Sequence, residues 1–268
     1  MTAAAAEIDP QARDFYIEAL TRLDEAGVPY LVGGAYAYAR YTGIERHTKD
    51  FDIFVKRADF ERALETLGKA GYDTELSFPH WIGKAYRGED FIDIIFSSGN
   101  GISEVDDLWF KHAVPERVLG RDVKLIPAEE MIWSKGLIQE RERYDGADVA
   151  HVIKNVGTDL DWHRVVYRYG VHWRVLYAHL ILFGFIYPSR RSNVPPWVME
   201  DLAARLAREV PEDDTDDKTC FGTILSREQY LTDVQQWGFR DARLKPLGNM
   251  TAQEIANWTS GIEIDGGK

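Results

Sequence analysis

The pattern of apolar and polar positions predicts alternating helices and strands over the first 126 residues. Residues 11–26 and 58–70 carry apolar side chains at helical spacing, and each segment runs into a glycine, Gly27 or Gly71. Short apolar runs bounded by turn residues predict the strands. The predicted strands are 30–32, a run that carries Asp50 and Asp52, 72–77, 81–87, 91–97 and a hairpin over 117–126. This pattern is typical of a mixed β-sheet with flanking helices.

The pattern becomes helical from Pro127 almost to residue 210. Pro127 is followed by Ala-Glu-Glu, a good helix start with proline in the first position and acids in the first turn. An acidic, turn-rich stretch, EVPEDDTDDK, interrupts the pattern, and the remaining residues are mixed, with one helix predicted around 227–237. We therefore predict an α+β protein in three parts: an α/β domain at 1–126, a mainly helical lobe at 127–210, and an acidic loop with a C-terminal docking segment at 211–268.

Two carboxylates stand two residues apart in the second predicted strand. Alternate side chains of a strand share a face, so Asp50 and Asp52 project together while Phe51 and its apolar neighbours enter the opposite face. The preceding strand ends in Gly33-Gly34, directly before a predicted helix. Helix N-termini bind anionic oxygens, and Mg²⁺ is held by a few carboxylates plus substrate phosphates. The pattern indicates a metal–triphosphate site, although such residues also occur in ordinary solvated turns.

The order of these residues resembles the signature of the DNA polymerase β-like nucleotidyltransferase superfamily. In that signature a GG or GS turn precedes R-x-T-x-D-h-D, where h is hydrophobic; here Gly33-Gly34 precedes RHTKDFD at 46–52. The closest resemblance is to the minimal bacterial branch that includes the AbiEii-type toxins and their stand-alone relatives, and antibiotic nucleotidyltransferases share this fold. The resemblance implies a third carboxylate on a later strand, and Asp93 in FIDIIF matches it.

Asp93 also stands out on physical grounds. It lies within an apolar run, where a carboxylate is costly to bury unless it is paired, hydrogen-bonded or bound to metal. A functional role is therefore favoured over a structural one. The hairpin GKAYRGEDFIDIIF is expected to bring Lys84 or Tyr86 close to it.

A second point of resemblance lies in the helical lobe. Relatives of the AbiEii type carry a helix with a lysine, then an arginine, then an R-x-x-D-x-x-D-like ending. Here Lys135, Arg141, Arg143, Asp145 and Asp148 match, with one residue fewer between Arg143 and Asp145. This match implies that Lys135 neutralises triphosphate charge, with Lys84 or Arg87 as lesser candidates.

The resemblance implies transfer of a nucleoside monophosphate from an NTP to an acceptor hydroxyl, with release of pyrophosphate, in the 1–126 domain. Such chemistry uses two divalent metals, here Mg²⁺ or Mn²⁺, with the NTP as co-substrate. Asp50 and Asp52 are expected to hold both metals, whereas Asp93 completes one of them and is the candidate general base. The nucleotide-binding residues implied are Gly33, Gly34, Arg46, Thr48, Lys84, Lys135 and Asp148.

The acceptor stays open between a small molecule and tRNA. A net charge of −12 argues against broad, non-specific binding of nucleic acid and suits a small cationic acceptor such as an aminoglycoside. A tRNA acceptor would need a basic helical lobe, which arginine side chains could provide. Alternatively, those arginines form an ordinary solvated helix face. The lobe has five arginines and no acid between residues 163 and 191: Arg164, Arg168, Arg174, Arg190 and Arg191.

Several classes of protein are poorly supported. Cys220 is the single cysteine, which excludes an internal disulfide and a cysteine-based zinc site. The sequence lacks a P-loop, a dinucleotide fingerprint, an HExxH zinc motif and a serine elbow. It also lacks a signal-peptide pattern and any apolar run of about 18 residues. We expect a cytoplasmic protein with no membrane partner.

The alternative to an enzyme is a catalytically silent relative, such as a nucleotide-binding or antitoxin-like interaction module of the same fold. The presence of three carboxylates and both glycines favours the enzyme, since a silent protein has no chemical need for three acids around one site. The sequence does not predict the oligomeric state or a role for 218–268.

Overall fold

The computed structural model describes residues 9–46, 50–209 and 218–265. The chain forms two compact units, Met1–Pro127 and Ala128–Lys268. The α+β class predicted from the sequence, with a mixed sheet and flanking helices followed by mainly helical structure, is confirmed.

The first unit is built on a seven-stranded mixed sheet. Its strands are β1 (Leu31–Val32), β2 (Asp50–Phe54), β3 (Asp73–Phe78), β4 (Ile82–Arg87), β5 (Asp90–Ile95), β6 (Val114–Val118) and β7 (Arg121–Leu125). The strand order in the sheet is β3-β4-β5-β2-β1-β7-β6. β2 lies between β1, to which it is antiparallel, and β5, to which it is parallel. The helices are α1 (Pro10–Glu25), α2 (Gly34–Thr42), α3 (Arg57–Lys69) and α4 (Asp107–Lys111).

Local sequence explains where the first helix begins and which face it buries. The Asp9 carboxylate accepts a hydrogen bond from the Gln11 N–H at 2.7 Å, and Pro10 occupies the first helical position. The predicted apolar stripe of α1 is buried, including Phe15 and Leu20. On the sheet, Phe51 is fully buried and stacks on Tyr16 of α1. One face of β2 therefore belongs to the core, which leaves the other face for the carboxylates.

The second unit is mainly helical. Its helices are α5 (Ala128–Gly136), α6 (Gly146–Val156), α7 (Trp162–Tyr169), α8 (Trp173–Ile186), α9 (Pro196–Arg208), α10 (Gly222–Leu225), α11 (Leu231–Gln235) and α12 (Ala252–Asp265). Two short 3₁₀ helices, Gly170–His172 and Pro188–Asn193, precede and follow α8, and β8 (Thr219–Cys220) pairs in parallel with β9 (Arg240–Asp241). In the ranges that the structure describes, no helix combines the length and the apolar character needed to cross a membrane.

The helical predictions for this unit need two corrections. The helix expected around 227–237 is only Leu231–Gln235. The Ser226 hydroxyl accepts hydrogen bonds from the N–H groups of residues 228 and 229 and so stabilises a turn instead. The final helix α12 was not predicted, although Thr251 and Glu254 form a capping box at its start. The Thr251 N–H donates to Glu254 Oε2 at 2.7 Å, and the Glu254 N–H donates to the Thr251 hydroxyl at 3.2 Å.

A buried ion network joins α5 and α7 and removes two arginines from the surface of the arginine-rich region. Arg168 Nε donates to Glu130 Oε1 at 3.0 Å, and Glu130 is fully buried. Arg164 pairs with Glu129 and lies 3.3 Å from Glu130 Oε1. Two of the five arginines that would have to supply a basic surface therefore point inward and pair with glutamates.

We expect Arg168→Met to destabilise the protein by about 3 kcal/mol, because it leaves the buried Glu130 carboxylate short of one charge partner. Urea unfolding followed by circular dichroism would measure the loss. Arg205→Met is the matched control: Arg205 forms an exposed pair with Asp201 on α9, and removing it should cost about 0.3–0.5 kcal/mol. Equal losses in the two variants would contradict a structural role for the network.

Candidate active site

The parallel pair β2 and β5 brings three carboxylates together on one face of the sheet. Asp52 lies directly opposite Asp93, and Asp50 lies opposite Phe91. Asp50 and Asp52 are half-buried, whereas Asp93 is only 8% exposed. One oxygen from each of the three lies within 4.8 Å of the other two. The sheet thus places Asp50 and Asp52 together, as strand geometry predicts, and adds Asp93, as the superfamily resemblance implies.

These three acids fit a hard divalent cation. Carboxylate oxygens are the ligands that Mg²⁺ and Mn²⁺ prefer, and a site that also uses substrate phosphates needs few protein ligands. Within the described residues, this is the one cluster of three His, Cys, Asp or Glu side chains close enough to hold a metal ion. A cation would relieve the mutual repulsion of three acids held this close.

Burial and a lysine act in opposite directions on Asp93. Burial raises the pKa of its carboxyl group, the ion pair with Lys84 lowers it, and the nearby Asp50 raises it, with a net upward shift. Lys84 Nζ lies 2.8 Å from Asp93 Oδ1. Of the two neighbours predicted for Asp93, Lys84 makes this contact, whereas the Tyr86 hydroxyl donates to Glu75 Oε2 at 2.9 Å.

The two glycines allow the backbone to approach the acids closely. Gly34 begins α2 with a φ of +51°, and a Cβ at this position would overlap the Asp52 carboxylate. A Cβ on Gly33 would collide with the Phe54 ring, and the Gly33 N–H donates to the Asp52 carbonyl at 3.0 Å. The N-terminus of α2, whose first N–H groups have no intrahelical partner, therefore lies directly beside Asp52.

The structure describes two of the three other residues of the first unit that were candidates for phosphate contacts. The Arg46 guanidinium lies 4.1 Å from the centre of the Tyr38 ring. Thr48 falls outside the described residues. Arg87, a lesser candidate for phosphate binding, contacts α1 instead: its Nη2 donates to the Gln11 carbonyl at 2.7 Å and its Nη1 lies 3.4 Å from Glu18 Oε2.

The predicted residues of the second unit form a charged cluster of their own. Lys135 Nζ, at the end of α5, lies 2.8 Å from Asp148 Oδ2 and 3.0 Å from Asp145 Oδ2. Asp148 is buried in the first turn of α6, and Arg143 Nη2 lies 3.5 Å from the same Asp145 oxygen. The helix with Lys135 stops at Gly136, so a loop rather than a continuous helix leads to Asp145.

Two features of these clusters are not apparent from the sequence. Position 33 requires a glycine because a Cβ there would collide with the Phe54 ring. That contact depends on the pairing of β1 with β2, which the sequence does not reveal. The motif marks Asp145 only by position, yet Asp145 and Asp148 both pair with Lys135. The spacing of three residues between these two acids at a helix start is a signal that could have suggested a shared partner.

Solved structures show distant similarity to this chain. The antibiotic-resistance factor ANT(2'')-Ia is 17% identical, with a TM-score of 0.43 over 65% of this chain and 96% of that one. The lincosamide antibiotic adenylyltransferase LnuA, bound to lincomycin, is 17% identical, with a TM-score of 0.38 over 54% of this chain and 96% of that one. An antigenic nucleotidyltransferase-like protein from Paracoccidioides brasiliensis is 16% identical, with a TM-score of 0.42 over 70% and 96%. Similarity of this degree transfers neither a substrate nor a residue role.

Comparison with curated proteins gives no match. A protein family does match. Its model, described as an uncharacterised nucleotidyltransferase, covers residues 2–182, which include the three acids, both glycines and the Lys135 cluster. The resemblance to nucleotidyltransferases noted in the sequence is thereby confirmed, and because the match spans more than half of the chain, the protein belongs to this nucleotidyltransferase family.

Proposed function

We propose that the protein is an active, metal-dependent nucleotidyltransferase that moves a nucleoside monophosphate from an NTP to an acceptor hydroxyl. The observation that carries the proposal is the cluster of Asp50, Asp52 and Asp93, with one oxygen of each within 4.8 Å of the others. Three acids so close together beside a glycine-rich helix N-terminus have no evident structural purpose. The arrangement suits a nucleotide that arrives with divalent cations.

The proposed reaction is an in-line substitution at the α-phosphorus. The acceptor oxygen forms a bond to this phosphorus, the bond to the oxygen bridging towards the β-phosphate breaks, and pyrophosphate leaves. Divalent cations bound by Asp50, Asp52 and Asp93 would stabilise the charge on the attacking and leaving oxygens. Asp93 would accept the proton of the acceptor hydroxyl, and its ion pair with Lys84 favours the ionised form that this role requires.

The glycine turn would bind the leaving end of the nucleotide. Without side chains at 33 and 34, phosphate oxygens can approach the N–H groups at the start of α2. Arg46 and Thr48 are proposed to shape the loop before the acid pair or to contact phosphate, as the superfamily resemblance implies.

Lys135 is proposed to neutralise triphosphate charge, with Asp145 and Asp148 holding its ammonium group. We expect Lys135→Met to raise the KM for the NTP by roughly tenfold or more, since one charge-assisted contact is worth about 1.5–3 kcal/mol. Lys135→Arg should retain most of the affinity. Steady-state kinetics would measure both, with thermal melts to separate this effect from destabilisation around the buried Asp148. An unchanged KM in a folded Lys135→Met variant would remove Lys135 from the nucleotide site.

A small cationic acceptor is favoured over tRNA. The tRNA alternative needs a basic helical lobe, but Arg164 and Arg168 are buried in ion pairs with glutamates and Arg174 pairs with Glu209. The net charge of −12 also opposes a polyanionic acceptor. A small hydroxylated amine such as an aminoglycoside meets no such repulsion.

The proposal is tested by offering α-labelled ATP, CTP, GTP and UTP with Mg²⁺ to three acceptors in parallel. These are cell RNA, a panel of aminoglycosides and the protein itself, each with an Asp50→Asn/Asp52→Asn control. Label that moves to one acceptor with the wild type alone would support the proposal and name both substrates. Transfer to RNA that falls steeply with salt would favour tRNA. Absence of transfer, together with absence of an NTP-induced thermal shift, would favour the silent interaction module.

A further inference from the structure

Lys84 is fixed against the acid cluster by two contacts. It lies directly opposite Asp93 in the β4–β5 hairpin, and its Nζ is 2.8 Å from Asp93 Oδ1. The same ammonium group lies 4.0 Å from the centre of the Phe91 ring. The Lys84 side chain is 25% exposed and the Asp93 side chain 11%. This is a partly buried ion pair, in which electrostatic interactions are screened less than they would be on the surface.

The Lys84 ammonium group and a divalent cation would compete for the Asp93 carboxylate. A divalent cation that binds Asp93 must approach the carboxylate that already holds Lys84. The two positive charges would then stand close together in a partly desolvated site, where repulsion is weakly screened. Lys84 therefore disfavours a free cation at this carboxylate even though the three acids attract it.

A nucleotide changes this balance because it brings its own negative charge. The triphosphate attracts both the cation and the lysine, so the repulsion between them is offset when the nucleotide is bound. The Lys84 charge thus weakens binding of a free metal ion more than it weakens binding of a metal ion that arrives with an NTP.

We propose that Lys84 is a built-in counter-cation that competes with divalent metal for Asp93 and so couples filling of this site to nucleotide binding. The inference rests on the proposed nucleotidyltransferase function, which supplies the reason for the metal. It assigns Lys84 to positioning and charge control at Asp93 and explains why a lysine sits opposite the most buried of the three acids.

Direct Mn²⁺ titration of the full chain, followed by electron paramagnetic resonance without nucleotide, tests this proposal. Lys84→Met should bind Mn²⁺ about tenfold more tightly than the wild type, because one repelling charge is removed. Lys84→Arg should stay close to the wild type, since the charge is kept. Lys69→Met is the matched control, because Lys69 is an exposed lysine on α3 that pairs with Glu65. In an Asp93→Asn background, the gain from Lys84→Met should disappear.

The same titration with a non-hydrolysable α,β-methylene NTP completes the test. The difference between the wild type and Lys84→Met should shrink by severalfold once the analogue is bound. Equal Mn²⁺ affinities without nucleotide, weaker binding by a folded Lys84→Met, or no Mn²⁺ binding by either protein would overturn the proposal. None of these readouts needs turnover. Normal label transfer with unchanged Mn²⁺ affinity would refute this inference alone, whereas the expected Mn²⁺ shifts without any transfer would refute the proposed function alone.

Discussion

Asp52→Asn is expected to lower turnover by on the order of 10³-fold, since a metal-binding carboxylate supplies several kcal/mol of transition-state stabilisation. The amide has almost the same size but lacks the charge, so cation binding should fail while the fold persists. Asp52 lies opposite Asp93 and next to Gly34. It therefore adjoins both the proposed metal site and the proposed phosphate-binding turn. Initial rates of label transfer at saturating acceptor would measure the loss.

The matched control is Asp73→Asn. Asp73 is an exposed acid at the start of β3 on the edge of the same sheet. It should keep full activity. The melting temperature of Asp52→Asn in EDTA should equal or exceed that of the wild type, because one of three mutually repelling acids is neutralised. A folded Asp52→Asn variant with normal turnover would remove the acid cluster from the chemistry.

Gly34→Ala is expected to reduce activity by at least about 10²-fold, the loss that a displacement of about 1 Å in an active site can produce. The added methyl group would overlap the Asp52 carboxylate and force it, or the start of α2, to move. The residue would also keep a φ of +51°, which costs a non-glycine residue about 1–2 kcal/mol.

Gly43→Ala separates the two effects of that substitution. Gly43 ends the same helix with a φ of +69°, but a Cβ there would meet no atom within 4 Å. Both variants should lose a similar amount of stability from backbone strain, and only Gly34→Ala should lose activity beyond it. Thermal melts and kcat measured on both proteins would decide. Comparable activity in the two variants would show that the close approach of Gly34 to Asp52 is not needed.

Much of the geometry around the three carboxylates could be predicted because it depends on local rules. Two acids at alternate positions of a strand must share a face, and a carboxylate within an apolar run must have a partner. Asp50, Asp52 and Lys84 lie where these rules suggested. That β5 pairs directly with β2, and so brings Asp93 to the other acids, was implied only by resemblance, because strand order is a long-range property.

The features that the sequence left open or missed have equally physical causes. The surface character of an arginine-rich helix depends on which face is buried, and the glutamates that draw Arg164 and Arg168 inward come from α5, more than 30 residues earlier. The short α11 reflects a serine that stabilises a turn, and α12 was missed because its capping box precedes a segment with a weak apolar pattern. The roles assigned to Arg46, Thr48, Lys135 and Asp148 stay predictions.

Nucleotidyl transfer is tested most sharply by following the two ends of one nucleotide. Wild-type protein, Mg²⁺ and the acceptor found in the panel are incubated with NTP labelled at the α- or the γ-phosphate. We expect α label on the acceptor and γ label in pyrophosphate, in equal amounts. EDTA should abolish both, and Asp52→Asn should reduce both to the same small fraction. Transfer of γ label to the acceptor, or release of α label without an acceptor, would contradict nucleotidyl transfer at these three carboxylates.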